Sequence, residues 1–96
     1  MDKTNAIRGR ISSFQQQSDE MIPKAWKRLQ EYIRACPHHG IEEWLLIQGF
    51  YHGLTSIACS HLDAAAGGAF FQLNVKDAKD LIEKMVTNEG WNEERL

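Results

Sequence analysis

Two cysteines and four histidines are the residues of this chain best equipped for chemistry: Cys36, His38, His39, His52, Cys59 and His61. Thiolate and imidazole are the usual ligands of zinc, and structural zinc sites present them as pairs spaced C-x2–4-C and H-x3–5-H, so that both members turn onto one ion. Here the pairs are Cys36-x-His38 and Cys59-x-His61. The second pair sits two apart in a stretch with helical periodicity, which sends the two side chains about 160° apart. The spacing therefore argues against a metal site, and Cys36 with the two histidines reads as a helix stop followed by a turn. Thiol catalysis requires an acidified cysteine with a histidine in reach and a third group to orient it. Cys59 is flanked by apolar residues and reads as core or lining. Gly67-Gly68 lacks the flanking pattern of a phosphate loop or an oxyanion hole. The expectation is a protein with no catalytic residues, no metal and no cofactor.

The other groups of interest are charged. Lys24, Lys27, Arg28 and Arg34 lie close together, with Arg8 and Arg10 upstream, but Glu20, Glu31, Glu42 and Glu43 dilute them. The net charge is −2. No basic groove interleaved with aromatics is visible, so direct nucleic-acid binding is not expected. No apolar run can span a bilayer, and the polar start from Met1 to Ile11 does not read as a signal peptide. Two cysteines are too few for a disulfide scaffold, which points to a reduced compartment, cytoplasm or nucleus.

The elements that position these residues are helical throughout. A 96-residue chain with 43% hydrophobic and 25% charged residues makes about one domain. Ile7, Ile11 and Phe14 recur at helical spacing and predict a first short helix. A second runs from about Glu20 to Ala35 on the stripe Ile22, Trp26, Leu29, Ile33. Pro23 fits it only in the first turn, and Pro37 ends it by forcing Cys36 out of the α region. A third spans about Ile41 to His52, with Gly53 as its terminator. Thr55 or Ser56 caps a fourth that reaches Ala66 and stops at Gly67-Gly68. After a connector with Phe70 and Phe71, Asn74 caps a fifth with the stripe Ala78, Leu81, Ile82, Met85. The tail beyond Thr87 is polar except for Trp91. The fold class is all-α, a compact bundle of about five short helices.

The third helix has apolar residues almost all round. On a 100° wheel Leu46, Ile47, Phe50, Tyr51 and Leu54 form one ridge, and Ile41, Trp44 and Leu45 share the other side with Gln48 and His52. A helix apolar on both sides must be covered on both sides. In so small a domain a second copy of the chain would supply that cover; the rival is that the first helix or the Phe70-Phe71 connector does. The predicted interface is Ile41, Trp44, Leu45, Gln48 and His52.

The order Ala25-Trp26, Arg28, Cys36-Pro37-His38-His39-Gly40-Ile41, Trp44-Leu45-Leu46-Ile47-Gln48, Phe50-Tyr51, Gly53-Leu54, then Asp63-Ala64-Ala65-Ala66-Gly67-Gly68 and Ala78, Leu81-Ile82-Glu83 resembles the Gag protein of plant gypsy-class LTR retrotransposons. The resemblance extends over about Lys3 to Trp91. Within it, Phe14, Gln16, Glu20, Arg28 and Ile33 stand at the offsets of the retroviral major homology region. Gln17 stands where that motif has Gly, and Pro23 enters the early helix. The resemblance implies a fold like the retroviral capsid C-terminal domain: a linker helix over 1–14, the lobe over 15–87 and a tail over 88–96. It implies that Gln16, Glu20 and Arg28 form a hydrogen-bonded network, where the residues alone would equally allow Glu20 and Arg28 to be solvated separately. It implies a structural role, self-association as a homodimer or larger assembly toward virus-like particles, beside an N-terminal capsid lobe outside this chain, or else a domesticated adaptor for protein–protein interaction in a host cell.

Overall fold

A computed structural model of the chain describes residues 3–87, with side chains from Ala6 onward. The tail expected over 88–96, Trp91 included, lies outside the described residues. Five α-helices follow one another: α1 Lys3–Ser12, α2 Ile22–Ala35, α3 Glu43–His52, α4 Ser56–Ala65 and α5 Val75–Thr87, with a single 3-10 turn at Phe70–Gln72 before the last. The described residues contain no strand, and the fold is all-α. None of these helices is long and apolar enough to cross a membrane.

Local chemistry sets most of the boundaries. α2 begins at Ile22, so Pro23 falls in the first turn, where amides have no intrahelical acceptor. It ends because Cys36, ahead of Pro37, adopts φ −137° and ψ 71°, outside the helical region. Thr55 caps α4 by accepting from the Ala58 amide at 3.2 Å. Asn74 caps α5 by accepting from the Asp77 amide at 2.8 Å. α4 closes on a Schellman motif. Gly67 (φ 86°) and Gly68 (φ 149°) turn left-handed, and their amides donate to Ala64 O at 3.1 Å and Asp63 O at 2.9 Å. α2, α3 and α4 are each a little shorter than their sequence patterns suggest.

Gly53 corrects an expectation. It does follow α3, but at φ −84° in ordinary right-handed conformation, so left-handed freedom is not what the glycine supplies. A Cβ at this position would collide with the Phe14 carbonyl oxygen. The turn after α1 passes directly over Gly53, whose carbonyl accepts from the Gln16 amide at 2.8 Å. The requirement is close approach of two backbones.

One hydrophobic core ties the described residues together. α2 packs on α1 and α5, α3 packs on α5 and α1, and α4 packs on the 3-10 turn. Ile22, Leu29, Phe50, Leu62, Phe70 and Ile82 are its fully buried large side chains. Phe50 is central: its ring lies 5.0 Å from Trp26 edge-on and 5.7 Å from Phe14. Fully burying a side chain of this size contributes about 1.5–3 kcal/mol.

Candidate assembly face and its polar support

The structure brings Gln16, Glu20 and Arg28 together in the turn between α1 and α2. Arg28 points back from α2 and holds the Glu20 carboxylate with two parallel bonds, Nε to Oε2 and Nη2 to Oε1, both 2.8 Å. Its Nη2 also donates to the Gln15 carbonyl at 2.7 Å, and Nη1 donates to the Tyr32 hydroxyl at 3.3 Å. The guanidinium lies over the Phe14 ring, 4.4 Å from its centroid. Glu20 is the one charged residue in the described core, 6% exposed, and its Oε1 also accepts from the Gln17 amide at 3.0 Å. A planar guanidinium suits this arrangement because it reaches carboxylate and carbonyl at once. The Arg28 hydrogen bond holds the Glu20 carboxyl below the usual carboxylate range and outweighs burial, which acts the other way. Glu20 in turn raises the already high pKa of Arg28.

Gln16 connects this network to the far side of the fold. Its Nε2 donates to the Glu20 carbonyl, and its Oε1 accepts from the Thr55 amide at 2.9 Å. Together with the bond to Gly53, these contacts clamp the α3–α4 junction onto the turn that starts α2. The turn holds with Gln17 within it and Pro23 in the first turn of α2. Gln17 lies outside the left-handed region, since no non-glycine residue described has positive φ.

α3 divides as the wheel does. Ile47, Phe50 and Leu54 are buried, and Leu46 and Tyr51 are partly so. On the other side Trp44 is 50% exposed and Leu45 44%. His52 is exposed, while Ile41 and Gln48 are intermediate. Ile41 also packs against the core, so it contributes less open surface than Trp44 and Leu45. The Phe70-Phe71 connector faces Trp44 across a cleft but does not cover it. The two border a cleft of about 180 Å³ between α3, the 3-10 turn and the start of α5. Phe71 (51% exposed) and Val75 (36%) extend the apolar surface from the opposite wall. A Lys79–Glu43 ion pair at 2.8 Å joins α5 to the start of α3.

Sequence reasoning missed the contribution of Phe71 and Val75, and also the tie that places them. Asp63 receives the Tyr51 hydroxyl on Oδ2 and the Phe70 amide on Oδ1, each at 2.9 Å. Tyr51 stacks on Phe70, 5.4 Å between centroids and 3° between planes, and meets Phe71 at 4.6 Å. Burial, with the bond to Asp63 second, pushes the Tyr51 hydroxyl up to about 12. The 3-10 turn is thus pinned to α3 and α4, with one phenylalanine buried and the next displayed. The available signal was a lone carboxylate just ahead of a glycine pair.

The cysteines and histidines are dispersed. Cys36 is buried, and His39 Nδ1 accepts from the Ile41 amide at 2.9 Å within its own turn. Cys59 Sγ donates to the Tyr51 carbonyl at 3.3 Å, and burial pushes its thiol up, away from thiolate. Among the described residues, no group of three or more His, Cys, Asp or Glu side chains is placed to hold a metal ion. Comparison of the chain with protein-family models, with curated proteins and with solved structures finds no match.

Proposed function

We propose that this chain is a self-associating structural module, the C-terminal lobe of a Gag-type capsid of the plant retrotransposon class, which dimerises through the outer face of α3. The observation that carries the proposal is the placement of Trp44 and Leu45. Both are large apolar side chains on one helix, close to half exposed, while the opposite ridge of that helix fills the core. Scattered exposed apolar residues are ordinary, but Trp44, Leu45, Phe71 and Val75 gather around one cleft and its helix. The bidentate Glu20–Arg28 pair, with Gln16 bridging to Thr55, supports the capsid part of the reading, because it has the membership and connectivity that the resemblance implies. In this role the network holds the shape of the lobe and α3 provides the contact. The association is non-covalent, and RNA would be engaged by other parts of a Gag protein.

Sedimentation velocity across a concentration series tests the proposal. The wild-type chain is expected to dimerise, and Trp44→Ala to raise the dimer Kd at least tenfold while the monomer stays helical. Tryptophan at the centre of an interface is a typical hot spot, worth about 2–4 kcal/mol on truncation. A wild type that remains monomeric at high concentration overturns the reading.

A further inference from the structure

Arg8 and Arg10 of α1 are exposed, and neither has a carboxylate partner among the described residues. Ser13 follows them at offsets of three and five, exposed and just past the end of the helix. No other serine or threonine in the chain has an arginine at either offset; Ser12 has its arginines two and four residues back. Two guanidiniums set ahead of a hydroxyl at these distances suit the acidic substrate cleft of a basophilic serine kinase, where each can pair with carboxylates. We propose that Ser13 is a phosphorylation site for such a kinase, and that its phosphate releases the last turn of α1 from the core. In the step, the Ser13 Oγ attacks the γ-phosphorus of ATP. Its proton passes to the kinase's general base, the bond from that phosphorus to the β-phosphate oxygen breaks, and ADP leaves.

The position of the hydroxyl decides the consequence. Ser13 Oγ donates to the Gly9 carbonyl at 2.7 Å, and the Ser13 amide donates to the same carbonyl at 3.0 Å. A phosphate removes the hydroxyl donor and sets a charge of about −1.5 to −2 at the negative end of the helix dipole. Arg10 offers an exposed ion pair in return, but such pairs contribute little. The helix also opens readily. Its 10 residues are fewer than the roughly 12–15 that an isolated helix needs, and Gly9 weakens its interior. Among its described side chains, Ile11 is buried in the core and Ile7 only partly so. Local opening of so short an element presents Arg8, Arg10 and Ser13 to a kinase without unfolding the rest. Beyond Ser13 the chain stays anchored, because the Phe14 ring is buried beneath the Arg28 guanidinium at 4.4 Å.

The test treats the 96-residue chain with Mg-ATP and purified protein kinase B, which selects arginines at these offsets, and maps the product by mass spectrometry. Phosphate is expected on Ser13, none on Ser13→Ala, and Arg10→Ala should lower kcat/KM by at least about tenfold. An unfolded peptide of residues 6–18 controls for kinase activity. The site is overturned by an intact chain left unmodified where the peptide is modified, by phosphate confined to another residue, or by Arg10→Ala reacting at the wild-type rate. Amide hydrogen exchange on the phosphorylated chain tests the release. The amides of α1 should exchange at least about tenfold faster than in the unmodified chain and faster than in Ser13→Ala, which loses the hydroxyl without gaining charge. Those of α2–α5 should keep their protection. Exchange in α1 no faster than in Ser13→Ala, or equal acceleration in every helix, overturns the release.

Discussion

At the scale of single residues the protein depends on two polar ties, each holding a turn against a helix. In the first, Arg28 is the counter-charge hydrogen-bonded to a carboxylate that is 6% exposed. Arg28→Ala leaves that charge uncompensated and is expected to destabilise the fold by about 2–4 kcal/mol in a denaturant melt. A solvated surface pair would lose at most roughly 0.5–1 kcal/mol. The lowered Glu20 pKa also makes a pH prediction. A carboxyl depressed in the folded state contributes stability that is fully present above its unfolded value of about 4.3, and that is lost as pH falls through the lower folded value. The denaturation midpoint is therefore expected to drop as pH falls below about 4.3, and the drop should be shallower in Glu20→Gln. In the second tie, Tyr51→Phe removes one of the two groups bound to Asp63. The expected cost is about 1–2 kcal/mol, the price of a partly unsatisfied carboxylate, with a less firmly held 3-10 turn visible as faster amide exchange at Phe70.

At the scale of elements, two glycines that read alike in the sequence have different duties. Gly67 supplies a positive φ to the Schellman motif ending α4. Alanine there is strained but meets no atoms, and should cost about 1 kcal/mol. Gly53 has an ordinary φ but sits under the Phe14 carbonyl. Alanine there must push the α1–α2 turn away and disturb the Gln16–Gly53 bond, so Gly53→Ala should cost more, roughly 2–3 kcal/mol, comparable to other forced core shifts. Thermal melts of the two variants side by side give the comparison, and equal losses would mean that the backbone crossing is loose. The helices themselves were largely legible. Pro23, Pro37, Thr55, Gly67-Gly68 and Asn74 act through neighbours one to five residues away, so their effects could be read in order along the chain. The role of Gly53 could not, because the atom it avoids is on another turn.

At the scale of the whole molecule, the decisive quantity is what Trp44 contributes to folding as against association. It is half exposed, so Trp44→Ala creates no closed cavity and should lower the unfolding free energy by less than about 1.5 kcal/mol. A fully buried tryptophan would lose about 3–5 kcal/mol. A melt and a sedimentation run on the same sample separate the two roles: small loss of stability with large loss of dimer is the expected pattern. Trp26→Ala, at 4% exposed and edge-on to Phe50, is the control and should show the reverse.

The amino-acid sequence by itself determined the helical class, the order of the five helices, most of their caps, and the division of α3 into two apolar ridges. These follow from periodicity and from contacts within a few residues. It named Gln16, Glu20 and Arg28 as a group only through the resemblance, since a carboxylate and a guanidinium eight positions apart are equally compatible with separate solvation. Only the tertiary structure decided that the turn before α2 folds Glu20 inward onto Arg28. It also decided that Asp63 fixes one of two adjacent phenylalanines inside and leaves the other out, and that the Trp44 side of α3 is the one left uncovered. The reason is common to all three. Burial depends on which distant segments arrive at a side chain, and a helix with two apolar faces carries no local signal of which face the rest of the chain will cover.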